Sequence, residues 1–242
     1  MKVGVVSDVH SNIEALEAVL ARLGDLGVGR VLCCGDIVGY GPDPGACIAA
    51  VRELEGPVVA GNHDWGVLGR TATTSFNFTA RAAVRWTDSE VSEDDRAYLA
   101  SLPLTASHPP FLLVHAAPSN PEGWGYVLSA EEAEEELAAC EGTMCFLGHS
   151  HQPLVIEKET GKPAQVLVGE RFPLKPDARY LVNAGSVGQP RDGNPRACCL
   201  VVDTEAGEAG FERVEYDIPA VQKKIVSAGL PSFLAERLAT GR

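Results

Sequence analysis

KVGVVSDVH, at residues 2–10, is the stretch from which the fold can be worked out. Its first part, Lys2–Val6, is a short apolar run with β-branched residues, and it predicts a buried strand. Polar residues follow at once. Ser11-Asn12-Ile13-Glu14 then has the spacing of a capping box and opens an apolar pattern at helical spacing, so we predict a helix directly after the strand.

The succession of strand and helix repeats over the next fifty residues. Arg30–Cys34 predicts a second buried strand. Asp43 followed by Pro44 is typical of an N-cap and a first helical residue, and the helix is expected to continue to about Leu54. Pro57–Ala60 predicts a third short strand. A βαβαβ order of this kind indicates a parallel sheet at the centre of the fold.

The second half of the chain has a different pattern. Two helical pieces are predicted between residues 79 and 102, the second capped by Ser92 and Asp95, and an acidic helix is predicted from Ser129 to near Cys140. Phe111–Val114 and Met144–Leu147 predict buried strands. Alternating runs then predict antiparallel strands and hairpins at Leu154–Glu157, Gln165–Val168, Arg179–Val182, Ala197–Asp203 and Gly210–Tyr216, before a last helix around Pro231–Leu238. No linker separates the halves, so we expect a single domain over residues 1–242, with two packed sheets and outer helices.

Composition limits the class of protein. Of the 242 residues, 45% are hydrophobic and 22% are charged, which is ordinary for a globular protein. No apolar run approaches the roughly 20 residues needed to span a bilayer, and the N-terminus does not resemble a signal peptide. These features predict a cytoplasmic protein with no membrane partner.

Charge and cysteine content make two further functions improbable. The formal charge of −13 disfavours a stable complex with nucleic acid, although bound cations would still attract a small anion locally. The seven cysteines contain no CxxC motif. A disulfide framework, a thiolate zinc site and a thiol-dependent enzyme are therefore disfavoured, and we expect buried, reduced cysteines.

Potential metal ligands follow each predicted buried strand of the first 151 residues. They lie in five segments: Ser7-Asp8-Val9-His10, Gly35-Asp36, Gly61-Asn62-His63-Asp64, His115, and Gly148-His149-Ser150-His151. The carboxyl ends of parallel strands line one crevice, so these side chains should converge. Carboxylate, imidazole and amide donors without thiolate suit Mn²⁺, Fe, Zn²⁺ or Ni²⁺, and they are too many for one tetrahedral ion. The sixth histidine, His108, precedes a strand and is expected to be a surface loop residue.

These motifs together resemble the calcineurin-like metallophosphoesterase superfamily. The series SDVH, GDIVGYG, GNHD, VH and GHSH carries the resemblance. GYGPDP at 39–44 and NAGSVGQPRDGNPRA at 183–197 are similar to its small bacterial and archaeal single-domain phosphodiesterase branch. The resemblance extends from residue 2 to about 203. It implies an α/β fold, a four-layer α-β-β-α sandwich of two packed mixed sheets with flanking helices.

The resemblance also implies a role for each ligand of two divalent metal ions, with Mn²⁺ favoured over Fe, Zn²⁺ or Ni²⁺. Asp36 would bridge the two metals. Asp8, His10 and His151 would bind the first metal, and Asn62, His115 and His149 the second. His63 would face the substrate. Asp64 would either orient the His63 imidazole or act as a helix N-cap.

The implied function is hydrolysis of phosphate esters, with phosphodiesters favoured, by in-line attack of a hydroxide that bridges the two metals. Counting two cations, two aspartates and the hydroxide leaves about one positive charge to meet a small phosphate ester. A phosphomonoesterase, a nucleotide pyrophosphohydrolase and a non-catalytic scaffold module stay open as alternatives, as does a homo-oligomer. Arg191 is either a phosphate contact or, as most arginines are, a surface residue. Residues 66–78 and 157–178 match the family least and are expected to shape substrate specificity.

Overall fold

The computed structural model describes residues 1–242 and contains eleven strands and eight α-helices. In chain order the strands are β1 (Lys2–Val6), β2 (Arg30–Cys33), β3 (Thr105–His108), β4 (Phe111–Val114), β5 (Met144–Leu147), β6 (Leu154–Glu159), β7 (Gln165–Leu167), β8 (Arg171–Pro173), β9 (Ala178–Asn183), β10 (Ala197–Asp203) and β11 (Glu208–Val214). The helices are α1 (Ile13–Asp25), α2 (Pro44–Arg52), α3 (Asn62–Val67), α4 (Phe78–Glu90), α5 (Glu93–Ser101), α6 (Ala130–Ala139), α7 (Ile218–Ser227) and α8 (Ser232–Glu236).

The strands form two mixed sheets. The first has the order β2-β1-β10-β11-β8, and the second has the order β3-β4-β5-β9-β6-β7. In the first sheet β1 is parallel to β2 and antiparallel to β10. In the second sheet β5 is parallel to both of its neighbours, β4 and β9. The prediction of two packed mixed sheets with flanking helices is therefore confirmed.

Alternation of side chains along the strands explains why the sheets stack with helices outside. On β5, Met144 and Phe146 lie in the core between the sheets, whereas Cys145 and Leu147 face the opposite way and pack with α6. On β1, Val3 and Val5 belong to the same central core, and Val6 packs in the outer core with α1 and α2. Because both faces of these strands are covered, they are continuous apolar runs.

The local end signals of the helices were largely predictable. The capping boxes at Ser92 and Ser129 are formed, and α5 and α6 begin directly after these residues. The predicted cap of α1 was wrong by one residue. Asn12, not Ser11, accepts the N–H of Ala15 at 3.1 Å, because Ser11 has a φ of 52° and belongs to the loop after β1.

Two strand predictions and one loop prediction were wrong in part. The segment after Pro57 makes only one isolated bridge, between Val58 and Cys33, because the Ala60 N–H donates to Pro103 O instead. The run containing β9 was predicted to be antiparallel, but β9 is also parallel to β5. His108 lies in β3 and pairs with Phe111, rather than in a loop. The elements β3, β8, α3 and α7 had not been predicted.

A large-to-small substitution in the central core tests the two-sheet packing. Phe146 is fully buried and its ring centroid lies 5.1 Å from that of Phe111. We expect Phe146→Ala to lower the free energy of unfolding by about 3–5 kcal/mol, because it leaves a cavity between the sheets. Phe78→Ala, at a residue that is 74% exposed, is the matched control and should change it little. Urea unfolding measures both, and equal effects would contradict this packing.

Candidate metal centre

The strand ends and the first residues of α3 bring all the predicted site residues together. Asp8 and His10 follow β1 and Asp36 follows β2, whereas His115 follows β4 and His149 follows β5. All nine predicted side chains are buried, with exposed fractions from 0 to 9%: Asp8, His10, Asp36, Asn62, His63, Asp64, His115, His149 and His151. Buried carboxylates and imidazoles in this number are costly unless they are paired or bind a cation.

Backbone strain is concentrated in these loops. Asp8, His10, Asp36, His149 and His151 all have positive φ angles, between 48° and 67°. They are five of the eight non-glycine residues in the chain with this conformation. Each left-handed residue costs on the order of 1–3 kcal/mol and persists only where the surrounding structure enforces it, which happens most often at functional sites.

Two glycines allow the carboxylates to approach the backbone. A Cβ at Gly61 would lie 2.1 Å from Asp36 Oδ1, and a Cβ at Gly148 would lie 2.3 Å from Asp8 Oδ2. Because glycine has no Cβ, both carboxylates can occupy these positions. There Asp36 Oδ1 accepts the N–H of His63 at 2.8 Å, and Asp8 Oδ2 accepts the N–H of His149 at 3.0 Å. Backbone donors therefore hold each carboxylate in position.

The first candidate metal position lies among Asp8, His10 and His151. His10 Nδ1 is 3.0 Å from Val38 O and His151 Nδ1 is 2.6 Å from Gln189 O. Since a carbonyl can only accept, we assign an N–H to each Nδ1 that donates a hydrogen bond to this carbonyl. Each Nε2 then carries a lone pair, and the two Nε2 atoms face each other at 3.1 Å.

The contact between the two Nε2 atoms is repulsive when both imidazoles are neutral. Burial lowers the pKa of both His10 and His151, which disfavours a proton at either Nε2. A cation between them, with Asp8 Oδ1 at 3.3 Å from His151 Nε2, satisfies both lone pairs. The donor set and its tautomers therefore fit a metal ion.

The second candidate position lies among Asp8, Asp36 and His115. His115 Nδ1 donates to Cys34 O at 2.8 Å, and its Nε2 faces Asn62 Oδ1 at 3.1 Å and Asp36 Oδ2 at 3.4 Å. Burial would lower the pKa of His115, but the Asp36 carboxylate raises it to about 9. The site thus favours a positive charge at Nε2, which a divalent cation supplies in place of the proton.

Asp36 lies between the two positions. Its Oδ2 is 3.5 Å from His10 Nε2 and 3.4 Å from His115 Nε2, so one carboxylate reaches both sides. Asp8 also belongs to both groups. The geometry is compatible with the bridging role that the resemblance implies for Asp36, and it adds Asp8 as a second residue shared by the two positions.

His149 differs from the other predicted ligands. It belongs to neither of the two groups of close ligand atoms. Its ring packs against that of His115, with centroids 5.1 Å apart, and stacks on Tyr126 at 4.2 Å with an interplanar angle of 18°. His149 therefore lies at the outer side of the second position, and its role as a ligand stays a prediction.

His63 faces the cavity beside the two positions. Its ring centroid lies 4.8 Å from that of His10, 4.5 Å from that of Tyr40 and 4.9 Å from that of Phe76. Its Nδ1 is buried and has no hydrogen-bond partner. Burial lowers the pKa of His63 to about 4, so the imidazole is neutral near pH 7 in the metal-free protein.

Asp64 does not orient the His63 imidazole, and this part of the prediction was wrong. Its Oδ1 accepts the N–H groups of Ile37 and Val38, and its Oδ2 accepts the N–H of Gly61 at 2.9 Å. The alternative prediction, a helix N-cap, was closer. Asp64 is the third residue of α3, and its side chain caps the start of that helix by accepting the N–H of Gly61. The carboxylate thus joins the start of α3 to the loop that carries Asp36.

A cavity of about 390 Å³ opens directly over the candidate metal positions. Its wall combines polar residues with the aromatic side chains of Tyr40, Phe76, Trp124 and Tyr126, and it also includes Arg191. Arg191 is therefore not an ordinary surface residue. Of the two segments expected to shape specificity, 66–78 contributes to the wall and 157–178 does not. The aromatic pair Trp124 and Tyr126, in the loop between a strand and a helix, was the signal that sequence reasoning missed.

Comparison with known proteins agrees with this geometry. The family model for the calcineurin-like phosphoesterase superfamily domain matches residues 1–207. The chain belongs to this superfamily. The resemblance seen in its strand-end motifs is therefore confirmed, and the match covers every strand-end residue discussed above.

Relatives of this calcineurin-like chain extend over its full length. The uncharacterized protein MJ0912 of Methanocaldococcus jannaschii is 39% identical, over 99% of this chain and 98% of the relative. A metallophosphoesterase from Sphaerobacter thermophilus is also 39% identical, and its crystal structure covers 100% of this chain and 99% of its own with a TM-score of 0.88. The hypothetical protein PH1004 from Pyrococcus horikoshii OT3 shares the fold, at 21% identity and a TM-score of 0.82 over 100% and 98% of the two chains.

Two other expectations concern features outside the centre. All seven cysteines are unbridged and buried, as expected for reduced hydrophobic side chains. No helix is both long enough and apolar enough to pass through a membrane. None of the cysteines lines the cavity, so the site offers no thiol to a substrate.

Metal binding should stabilise the fold through Asp36. When its free concentration is about 100 times its dissociation constant, an ion that binds only the native state adds roughly 2.7 kcal/mol to the free energy of unfolding. We expect Mn²⁺ to have such an effect, EDTA to reverse it, and Asp36→Asn to remove most of it because the shared carboxylate loses its charge. Thermal unfolding and elemental analysis measure the effect and the metal content.

The matched control for that experiment is Asp25→Asn, an equal charge change at an exposed residue of α1. Asp25→Asn should keep the full stabilisation by Mn²⁺ and the wild-type metal content. Equal stabilisation of wild type and Asp36→Asn would contradict the placement of the metal at Asp36.

Proposed function

We propose that this protein is a metal-dependent hydrolase of phosphate esters that acts with two divalent cations. The observation that carries the proposal is the close approach of His10 Nε2 and His151 Nε2, 3.1 Å apart beside two buried carboxylates, while each Nδ1 faces a backbone carbonyl. Membership of the calcineurin-like phosphoesterase superfamily supports the reaction class.

The proposed ligands divide between two cations as the resemblance implies. Asp8, His10 and His151 would hold one, Asn62, His115 and His149 the other, and Asp36 would be shared. Oxygen and imidazole donors without thiolate are compatible with Mn²⁺, which we propose as the metal. When bound, two such ions lower the pKa of a water molecule and polarise the phosphate oxygens for in-line displacement.

His63 is the proposed catalytic residue of the protein itself. Its Nδ1 is buried without a partner, and the residue lines the cavity. A proton is better placed on Nε2, where a substrate oxygen can accept it, than on the buried Nδ1, where no acceptor is present. We propose that His63 donates this hydrogen bond to the leaving oxygen and so stabilises the charge that develops there.

Phosphodiesters are the substrates that we propose first. The motifs at 39–44 and 183–197 support them because these motifs are similar to the phosphodiesterase branch of the superfamily. The cavity of about 390 Å³ falls in the size range of small-molecule sites, which agrees with a small ester rather than a polymer. Monoesters and nucleotide pyrophosphates present the same reacting group to the same centre, so a substrate panel must separate them.

The proposal predicts the outcome of one substitution in particular. With Mn²⁺ the wild-type protein should hydrolyse bis-aryl phosphodiesters, and with EDTA it should not. His63→Ala should keep its metal but lose about 10²–10⁴-fold in kcat, because it removes the donor to the leaving oxygen and none of the close ligand atoms. Steady-state kinetics and elemental analysis on the same preparations measure these effects.

His108→Ala is the matched control, since His108 lies in β3 away from the cavity. It should keep wild-type kcat. Unchanged kcat in His63→Ala would remove His63 from the reaction. A metal-loaded wild type that hydrolyses neither diesters nor monoesters would contradict the enzymatic function and favour the non-catalytic scaffold.

A further inference from the structure

Arg191 is fixed at the wall of the cavity by its own backbone. Its N–H donates to His151 O at 3.2 Å, which places it directly beside a proposed ligand. The residue is half-buried and lines the cavity together with Asp36, His63 and His151. Its position therefore depends on the same loop that carries the candidate metal centre.

The guanidinium of Arg191 is held by neutral groups. Its Nε and Nη2 donate to Gln189 Oε1 at 3.3 and 2.9 Å, and its central carbon lies 5.5 Å from the centroid of the Tyr40 ring. Gln189 is only 2% exposed, so the amide that accepts these hydrogen bonds is buried. Arg213 shows the usual alternative, because it pairs with the carboxylate of Asp192.

No carboxylate forms an ion pair with the Arg191 guanidinium, whose partners are the Gln189 amide and the Tyr40 ring. In a chain with a formal charge of −13, such a charge beside an enclosed site is available to an anionic ligand. The planar guanidinium also has the geometry to bind two phosphate oxygens at once.

The net charge of the site indicates which phosphate groups gain most from binding to Arg191. With two cations bound, the two aspartates and an attacking hydroxide would leave about one positive charge, which balances the single negative charge of a phosphodiester. The charge of Arg191 would raise the net positive charge of the site to about two. A phosphomonoester above pH 7 carries close to two negative charges, because its second pKa is about 6.

We propose that Arg191 is a substrate-binding residue that contacts a phosphate oxygen and extends the site to doubly charged phosphate groups. This inference rests on the proposed function of the same site. Arg191 thereby sets the rate on monoesters relative to diesters, while Gln189 and Tyr40 position it.

Replacement of Arg191 should therefore affect the two ester classes unequally. A charged hydrogen bond contributes on the order of tenfold to a hundredfold in binding, and its Coulomb part scales with the charge of the ligand. In Arg191→Gln we expect kcat/KM to fall roughly a hundredfold for an aryl phosphate monoester and roughly tenfold for the matched bis-aryl diester at pH 8. Arg191→Lys, which keeps the charge but not the planar fork, should recover part of the monoester rate.

Binding of inorganic phosphate tests the contact without turnover. Isothermal titration of the Mn²⁺-loaded proteins should show a dissociation constant weaker by at least roughly tenfold in Arg191→Gln than in wild type. Metal content should be unchanged, since Arg191 offers no ligand atom. Arg196→Gln is the matched control, because Arg196 is exposed in the same loop and its guanidinium donates a hydrogen bond to Asn194 Oδ1, away from the cavity wall.

The outcomes separate the two proposals. A wild type that is inactive on both ester classes contradicts the proposed function, whereas the phosphate titration still reports on Arg191. An active wild type with equal losses on the two esters in Arg191→Gln would overturn the charge preference. Phosphate binding as tight in Arg191→Gln as in Arg196→Gln would overturn the contact itself.

Discussion

The Nε2 atoms of His10 and His151 face each other at 3.1 Å, and most of the structure around them serves to keep them there. The backbone carbonyls of Val38 and Gln189 accept hydrogen bonds from the two Nδ1–H groups. Neither ring can therefore turn its N–H toward the other ring without losing a hydrogen bond. Lone pairs that converge on two buried side chains repel each other unless a cation binds both. This one contact therefore links the folded chain to metal chemistry.

The two-sheet architecture maintains this arrangement because each sheet supplies part of the centre. Asp8 and Asp36 follow strands of the first sheet, and His115 and His151 follow strands of the second. The apolar core between the sheets sets the distance between these groups. Left-handed residues at the strand ends cost on the order of 1–3 kcal/mol each, and the packed layers on both sides provide the stability that offsets this strain.

Much of this could be predicted from the sequence because the decisive signals are local. An apolar run followed at once by Asp, Asn or His, as at Asp36 and His115, marks both the strand and the ligand that follows it. Local signals failed where distant segments compete for the same group. Asp64 binds amides of residues 37 and 38 rather than its neighbour His63, and Ala60 bonds to Pro103 rather than extending a third strand. The path of the loop carrying Tyr126 likewise depends on tertiary packing.

The most direct test of the central claim is anomalous diffraction from crystals grown with Mn²⁺, recorded on both sides of the manganese absorption edge. The proposed centre predicts two peaks about 3.5–4 Å apart, as in two-metal sites generally. One peak should contact Asp8, His10 and His151, the other should contact Asn62 and His115, and Asp36 should lie between them. A single peak, or peaks away from these side chains, would contradict the account.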